Sequence, residues 1–329
     1  MATLLVLSLL VISIVAGLVW FTASTARRVE ATLPPRGRFI DIDGQRIHYV
    51  DKGGGTGPAV VLIHGLGGNL LNFSYAIADR LTGDFRVILV DRPGSGYSTR
   101  PANASATITA QAATLAELFR RLRLKRPLLV GHSLGGAICL AIALDHPDCA
   151  GALALISPLT HPQQDVPEVF KGLAIVSPLL RKIIAWTVAT PIAIRQGPTV
   201  LQTVFAPDAV PSDFPTRGGG LLELRPSAFY GASSDFVVIN VVLPDYVTRY
   251  HSLNIPIAIL YGRGDHVLDH RQQADAMKAK LPAIELEPTE GGHILLVTAP
   301  DRCVALVRRV VDKLRTPSPG TQEPPGAQR

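Results

Sequence analysis

A serine lies between glycines in the stretch GHSLGG at residues 131–136, directly after the apolar run "RPLLV". Glycine loses more conformational freedom on folding than any other residue, so three glycines in six residues require a steric reason. A sharp turn from a strand into a helix provides one, because small neighbours let the two arms approach closely. The stretch fits G-x-S-x-G, the nucleophile elbow, which predicts that Ser133 is a nucleophile at the edge of a sheet.

A serine hydroxyl needs a histidine that removes its proton and an acid that orients the histidine. Downstream of Ser133, "LYGRGDHVL" contains Asp265 and "EGGHILLVTAP" contains His293, each after a strand-like run. The order serine, acid, histidine is one of the known triad orders. We therefore predict the catalytic triad Ser133, Asp265 and His293. Asp269 and Glu290 are nearby acids that could take the place of Asp265.

Acyl transfer also needs two backbone N–H groups that stabilise the negatively charged oxygen of the intermediate. One donor is expected from Leu134, the residue after the nucleophile. The second is expected from the loop "HGLGG" at 64–68, which follows the strand-like run "AVVLI". Leu66 is the candidate donor, with a glycine on each side.

No cofactor or metal is expected. His266, Asp269 and His270 have helical spacing, but solvated residues at a helix start are the commoner explanation for such a group. "GLGGNL" has Leu70 where G-x-G-x-x-G requires its last glycine, and no phosphate-binding G-x-x-x-x-G-K-[ST] occurs in the chain. Neither glycine-rich loop therefore predicts a nucleotide site.

The candidate residues follow elements that alternate between strand and helix. Apolar runs such as "AVVLIHG", "FRVILVD", "PLLVG", "AGALALIS" and "IPIAILYG" are typical of strands buried on both faces. Helix-like segments lie between them, including one with apolar residues at 115, 118, 119 and 122 and a closing helix over "LLVTAPDRCVALVRRVVDKLR". Around Asp43-Gly44 the pattern predicts a tight hairpin. The alternation predicts an α/β fold with a doubly wound, mostly parallel sheet.

The alternation stops in one long interval, which divides the chain. We predict a core in two parts, 38–157 and 254–315, and a mainly helical insertion at 158–253 that is rich in proline and apolar residues. The tail at 316–329 is rich in Pro and Gly and is expected to be disordered.

The N-terminus predicts a membrane anchor at residues 1–26. This segment contains no charged side chain, and Leu4 to Phe21 is almost wholly apolar, close to the length that crosses a bilayer. A cleaved signal peptide is the alternative, although its apolar region is normally shorter and follows a basic start. Trp20 and Phe21 suit the membrane interface, and the arginines after the span favour a cytoplasmic catalytic domain.

Composition bounds the remaining partners. The net charge is +6, but the densest basic stretch, "RRLRLK" at 120–125, ends a predicted helix, where cations are favoured by the dipole. No nucleic-acid-binding module is recognisable. The three cysteines lack metal-like spacing and form no disulfide framework. Oligomeric state has no signature in the sequence.

Taken in order, "LIHGLGG", "DRPGSGYS", "GHSLGG", "YGRGDHV" and "GGHILLVTAP" resemble the α/β-hydrolase superfamily. The resemblance covers Arg38 to about Leu314 and implies the α/β-hydrolase fold, with the insertion where that family carries its cap. The layout is most similar to that of membrane-anchored monoacylglycerol lipases and related bacterial carboxylesterases. The insertion itself matches no quotable pattern.

A serine nucleophile differs from the aspartate of the dehalogenases and epoxide hydrolases in this superfamily. It predicts hydrolysis of a carboxylic ester, and the apolar residues of the insertion suggest a lipophilic, acylglycerol-like substrate. A C–C bond hydrolase of the meta-cleavage-product type, or an acyltransferase or perhydrolase, would use the same triad. A non-catalytic membrane-tethered binding protein is a further alternative, against which the intact triad argues.

Overall fold

The computed structural model describes residues 1–163, 165 and 167–315. Strands are designated β and helices α, each numbered along the chain. The strands are β1 (Arg38–Ile42), β2 (Gln45–Lys52), β3 (Val60–Ile63), β4 (Val87–Val90), β5 (Leu128–His132), β6 (Ala152–Ile156), β7 (Ile257–Gly262) and β8 (Glu285–Thr289). The α-helices are α1 (Ala2–Thr32), α2 (Leu71–Ser74), α3 (Ala78–Leu81), α4 (Ile108–Arg121), α5 (Leu134–Asp145), α6 (Glu168–Lys171), α7 (Pro178–Trp186), α8 (Ala189–Phe205), α9 (Phe214–Arg217), α10 (Pro226–Val238), α11 (Leu243–Arg249), α12 (Ala276–Lys280), α13 (Leu295–Thr298) and α14 (Pro300–Arg315).

The strands form one sheet in the order β1-β2-β4-β3-β5-β6-β7-β8. Pairing is antiparallel from β1 to β2 and from β2 to β4, and parallel everywhere else in that sheet. The predicted hairpin joins β1 to β2, with Asp43 and Gly44 at φ 48° and 77°. The α/β class and the mostly parallel sheet are therefore confirmed.

Helices cover both faces of the sheet. On one face, α4 and α5 pack with α11 and α12 against the strands, and on the other face α2, α3, α13 and α14 do so. The central strands are buried throughout, which explains their uninterrupted apolar runs. Because helices cover both faces of the sheet, a binding site is expected at the loops that follow the carboxyl ends of the parallel strands.

The closing segment is not the single helix predicted from its sequence. It consists of α13 and α14, which are separated at Ala299, where φ is −133°. Pro300 explains the break, because a proline disfavours the helical conformation of the residue before it and cannot donate an N–H.

The insertion carries helices α6 to α11. The apolar residues of the insertion, which suggest a lipophilic substrate, include Leu179, Ile183 and Trp186. Their side chains point outward on α7 and are 69%, 52% and 40% exposed. Any role of these three residues therefore concerns the surface of the insertion. The tail at 316–329 lies outside the described residues.

Helix α1 continues past the expected boundary at residue 26 as far as Thr32. It is long and apolar enough to cross a membrane, and its most apolar stretch has no buried residues. Its carboxyl-terminal part contacts the insertion, where the Thr22 hydroxyl donates to the carbonyl of Thr187 at 3.3 Å. The N-terminal helix is thus packed onto the folded body and not joined to it by a loose linker.

Candidate active site

Ser133 occupies the sharp turn between β5 and α5, with φ 54° and ψ −122°. Close packing explains the glycines around it. A Cβ on Gly131 would lie 2.6 Å from the carbonyl oxygen of Gly135, and a Cβ on Gly135 would lie 2.1 Å from that of Ile63. A Cβ on Gly136 would meet Pro158 at 2.5 Å. The strand, the turn and the helix can meet only where these side chains are absent.

His293 and Asp265 form a direct pair. The loop after β7 carries Asp265 and the loop after β8 carries His293, and Nδ1 of the histidine lies 2.7 Å from Oδ2 of the aspartate. The other carboxylate oxygen, Oδ1, accepts the N–H groups of Val267 and Leu268 at 2.8 and 2.9 Å. Both side chains of the pair are nearly inaccessible to solvent. With its proton on Nδ1, the imidazole presents Nε2 as a proton acceptor.

His132 connects the turn at Ser133 to His293. Its Nε2–H donates to the carbonyl oxygen of His293 at 3.0 Å, and the two imidazole rings lie 4.8 Å apart between centroids. Burial, together with the neighbouring His293, lowers the pKa of His132 well below its ordinary value. His132 is therefore a neutral structural donor that brings the end of β5 and the loop after β8 together.

The two candidate oxyanion donors flank Ser133. Gly65 lies against the serine, since a Cβ on this glycine would be 2.9 Å from Cβ of Ser133. The next residue, Leu66, has an N–H with no acceptor within residues 1–163, 165 and 167–315. Leu134 is the first residue of α5, where backbone N–H groups are left free by the helix. Two unpaired donors beside a serine can stabilise a developing negative charge.

Arg92 supports the loop at 64–68, which contains the candidate oxyanion donor Leu66. This side chain is fully buried, and its guanidinium donates to the carbonyl oxygens of His64 and Gly65, each at 2.9 Å. Nε2 of His64 in turn accepts the N–H of Arg92 at 3.0 Å. Burial and the positive charge of Arg92 lower the pKa of His64 to about 3, so the imidazole is neutral. These bonds fix the direction of the chain just before Leu66.

A buried ionic network links Arg92 to the insertion, and the sequence reading missed it. Asp235 on α10 accepts from Arg92 at 2.7 Å and from Arg100 at 2.7 Å, and Gln111 on α4 bonds to both Arg92 and Asp235. The signal available in the sequence was a charged Asp91-Arg92 pair directly after an apolar strand. Nothing in the sequence pointed to Asp235 as the partner.

Asp91 holds three neighbouring segments together. Its buried carboxylate accepts from Nδ1 of His48 at 2.7 Å and from the backbone N–H groups of Leu70 and Tyr97, both at 2.8 Å. Burial alone would raise the pKa of this carboxyl, but the hydrogen bonds from His48 and from the backbone N–H of Tyr97 act against it, and the pKa is lowered. Asp91 thereby connects the loop after β4 to the start of α2.

The alternative acids, Asp269 and Glu290, do not pair with His293, whose Nδ1 bonds to Asp265. Asp269 is an exposed residue whose carboxylate accepts the N–H of Arg271 at 2.9 Å, and it forms a loose pair with His270. Glu290 is also exposed. In the part of the chain that the structure describes, no three His, Cys, Asp or Glu side chains are grouped so as to hold a metal ion.

The family model described as alpha/beta hydrolase fold matches residues 58–300. This match covers most of the chain, and it includes strands β3 to β8, the turn at Ser133 and the His293–Asp265 pair. The chain therefore belongs to the alpha/beta hydrolase fold family.

Relatives of the chain differ in their functions. An uncharacterized protein of Mycobacterium tuberculosis is 28% identical over 310 residues, which cover 87% of this chain and 84% of that protein. A 2-hydroxy-6-oxononadienedioate/2-hydroxy-6-oxononatrienedioate hydrolase of Burkholderia vietnamiensis is 29% identical over 67% of this chain and 75% of its own length. The match to the dihydrolipoyllysine-residue acetyltransferase component of an acetoin cleaving system from Cupriavidus necator, 36% identical, covers 37% of this chain and only 32% of that protein.

Solved structures share the fold. An alpha/beta hydrolase fold protein from Burkholderia ambifaria superposes with a TM-score of 0.70 at 22% identity, covering 82% of this chain and 96% of its own. A membrane phospholipase A gives 0.67 at 24% identity over 96% and 99%. An esterase from Thermogutta terrifontis gives 0.63 at 23% identity over 85% and 100%. At these identities the likeness concerns the fold.

Proposed function

We propose that the chain is a membrane-anchored serine hydrolase that cleaves lipophilic carboxylic esters. The observation that carries the proposal is the buried His293–Asp265 pair, 2.7 Å apart, at the sheet edge where Ser133 occupies a strained turn. The unpaired N–H groups of Leu66 and Leu134 complete the set of groups that acyl transfer requires.

In the proposed mechanism, Oγ of Ser133 attacks the ester carbonyl carbon while Nε2 of His293 takes the hydroxyl proton. The N–H groups of Leu66 and Leu134 hold the oxyanion of the tetrahedral intermediate. The intermediate collapses and expels the alcohol, which receives the proton from His293. Water then attacks the acyl-enzyme with His293 as base, and the carboxylic acid leaves as Ser133 regains its proton. Asp265 keeps the imidazole in the tautomer that this sequence needs.

Among the described residues, the side chain of His293 is hydrogen-bonded to Asp265 and not to the Ser133 hydroxyl. Catalytic hydrogen bonds often tighten only when substrate is bound, so the serine–histidine contact is expected to form in the complex. Helix α1 is the proposed anchor, and the arginines that follow its apolar stretch favour a cytoplasmic catalytic domain.

A fluorophosphonate probe tests the chemistry. The wild-type chain is expected to be labelled and Ser133→Ala is not, and ester turnover by the variant should fall by about 10⁴–10⁶-fold. Ser157→Ala is the matched control, because Ser157 is another buried serine at a strand end with positive φ (41°). Equal labelling of the wild type and Ser133→Ala would overturn the proposal.

A C–C bond hydrolase is the second candidate. The similarity to the 2-hydroxy-6-oxononadienedioate hydrolase of Burkholderia vietnamiensis supports it, and the same triad would serve. Loss of ultraviolet absorbance from a dienoate diketone, with no turnover of p-nitrophenyl esters, would favour this candidate. Turnover of the esters alone would favour the first.

A further inference from the structure

Exposed apolar side chains cover the outer side of α7 and the start of α8. Six of them are between 40% and 69% exposed: Leu179, Leu180, Ile183, Trp186, Ile192 and Ile194. We call these six residues the cap face. On α7 the inward side is formed by Arg181 and Ala185, which are buried, so the apolar exposure is confined to one side of the helix. Exposed apolar surface of this kind commonly marks an interaction site.

The position of the cap face along α1 is set by one contact. Thr22 of α1 donates to the carbonyl of Thr187, which directly follows Trp186. At about 1.5 Å per residue, the helix rises about 30 Å from Ala2 to Thr22, which equals the thickness of the hydrocarbon core of a bilayer. If α1 spans the membrane, Trp186 therefore lies at the boundary between the acyl chains and the headgroups.

Further contacts fix the rotation of the body about α1. Glu30 pairs with Arg225 at 3.5 Å, and the carbonyl of Leu33 accepts a hydrogen bond from the Tyr97 hydroxyl. Together with the bond at Thr22, they hold the insertion on one side of the helix. Both helices that carry the cap face, α7 and α8, also contact α1.

Charge favours a lipid surface as the occupant. Lys182 and Arg195 are exposed among the apolar residues of the cap face. Basic side chains that border an apolar surface at the interface are attracted to the phosphate groups of anionic lipids. Trp20 of α1 and Trp186 of α7 both lie near the expected boundary between acyl chains and headgroups. Tryptophan is enriched at this depth in membrane proteins.

We propose that the cap face is embedded in the headgroup region of the bilayer that α1 spans, so that the insertion is a second membrane contact. This inference rests on the proposed anchor and is independent of the proposed chemistry. A membrane contact at the insertion would bring lipophilic molecules from the bilayer to the catalytic body.

The two tryptophans of the chain, Trp20 and Trp186, make a direct test possible. The full-length Trp20→Phe variant leaves Trp186 as the only reporter, and Trp186→Phe leaves Trp20. Each is reconstituted in vesicles of phosphatidylcholine and phosphatidylglycerol whose acyl chains are brominated near the headgroup or near the bilayer centre. We expect both tryptophans to be quenched more strongly by the shallow bromine, with Trp186 protected from iodide in the water phase.

The outcomes separate the anchor from the cap contact. Quenching of Trp20 but not of Trp186 by the bromolipids would overturn the inference and leave the anchor standing. The same result is expected if a second copy of the chain, and not lipid, shields Trp186. Quenching of Trp186 alone would support the cap contact and overturn the span. Absence of quenching at both positions would overturn both.

Charge substitutions provide the second arm. Within the Trp20→Phe background, Ile183→Asp is expected to weaken bromolipid quenching of Trp186 by several-fold, because an aspartate cannot enter the interface without cost. Val241→Asp is the matched control, since Val241 is 63% exposed but lies between α10 and α11, outside the cap face. Equal quenching in the two variants would overturn the inference.

Discussion

Asp265 is placed by more than its bond to His293. One carboxylate oxygen faces the imidazole, and the other accepts two backbone N–H groups, so the side chain has a single orientation. A group fixed in this way determines which nitrogen of His293 carries the proton. The proposed chemistry depends on that tautomer.

Asp265→Asn should therefore lower kcat strongly while leaving the fold intact. An amide can donate to Nδ1 and so favour the wrong tautomer, and a loss of about 10⁴-fold is expected for such a change in a serine triad. Asp269→Asn is the control on the same loop, and it should change kcat little because Asp269 is exposed and bonds only locally. Steady-state ester hydrolysis measures both. If Asp269→Asn lost the activity and Asp265→Asn kept it, the assignment of the acid would be wrong.

A second residue predicts a dependence of stability on pH. Glu223 of the insertion accepts a hydrogen bond from Asn69, which directly follows the loop at 64–68, and burial raises the pKa of Glu223 from 4.5 to about 8. A raised carboxyl pKa means that the protonated form stabilises the fold. This contribution is complete below pH 4.5 and is lost as the pH rises towards about 8.

In Glu223→Gln the side chain stays neutral, so unfolding free energy should decline less between those two pH values than in the wild type. Chemical denaturation on either side of the range measures the difference. A wild-type decline equal to that of the variant would show that Glu223 does not titrate in this range.

At the scale of elements, the turn from β5 into α5 is possible only because glycines leave room for the strand and the helix to approach each other. The sequence predicts the candidate nucleophile, acid and histidine because each follows a strand in a short local pattern, and in the structure Asp265 and His293 are paired. The break between α13 and α14 was also encoded locally, by Pro300, but the apolar periodicity across it indicated a single helix. The outward direction of the apolar residues on α7 was not predictable, since periodicity alone does not tell which side of a helix meets the core.

Gly135→Ala should destabilise the protein although alanine is the better helix former. The added Cβ would meet the carbonyl oxygen of Ile63 at 2.1 Å, and the backbone of β3 cannot move without disturbing the sheet. We expect a loss of about 1–3 kcal/mol, as for overpacking in a core. Gly172→Ala is the control, because Gly172 has φ −62° and open space around it, and a change within about 0.5 kcal/mol is expected there. Denaturant unfolding distinguishes the two.

At the scale of the molecule, the buried network of Arg92, Arg100, Gln111 and Asp235 ties the insertion to the core. Arg92 and Asp235 are 143 residues apart, and both are almost completely buried. Sequence patterns could not pair them because the insertion has no periodic strand–helix alternation that would fix its position over the sheet. The same guanidinium supports the loop that contains Leu66, so the placement of the insertion and the geometry of this candidate oxyanion donor are coupled.

Asp235→Asn should lower both stability and turnover. It leaves two buried guanidiniums without a counter-charge, and loss of one partner of a buried pair costs about 3–5 kcal/mol. Asp84→Asn removes the exposed pair with Arg308 and should cost at most about 1 kcal/mol. Unfolding and ester hydrolysis are measured together. Normal turnover in a destabilised Asp235→Asn would argue against coupling between the insertion and the oxyanion loop.

The short connection between α1 and β1 limits where such a protein could act. Only residues 33–37 separate the helix from the sheet, and the first of them is held by Tyr97. If α1 is the membrane anchor that we propose, a body joined to it by so short a connection stays beside that bilayer and cannot reach another vesicle. It would encounter molecules by lateral diffusion in its own leaflet, so its rate would follow their mole fraction among the lipids and not their concentration in bulk solution.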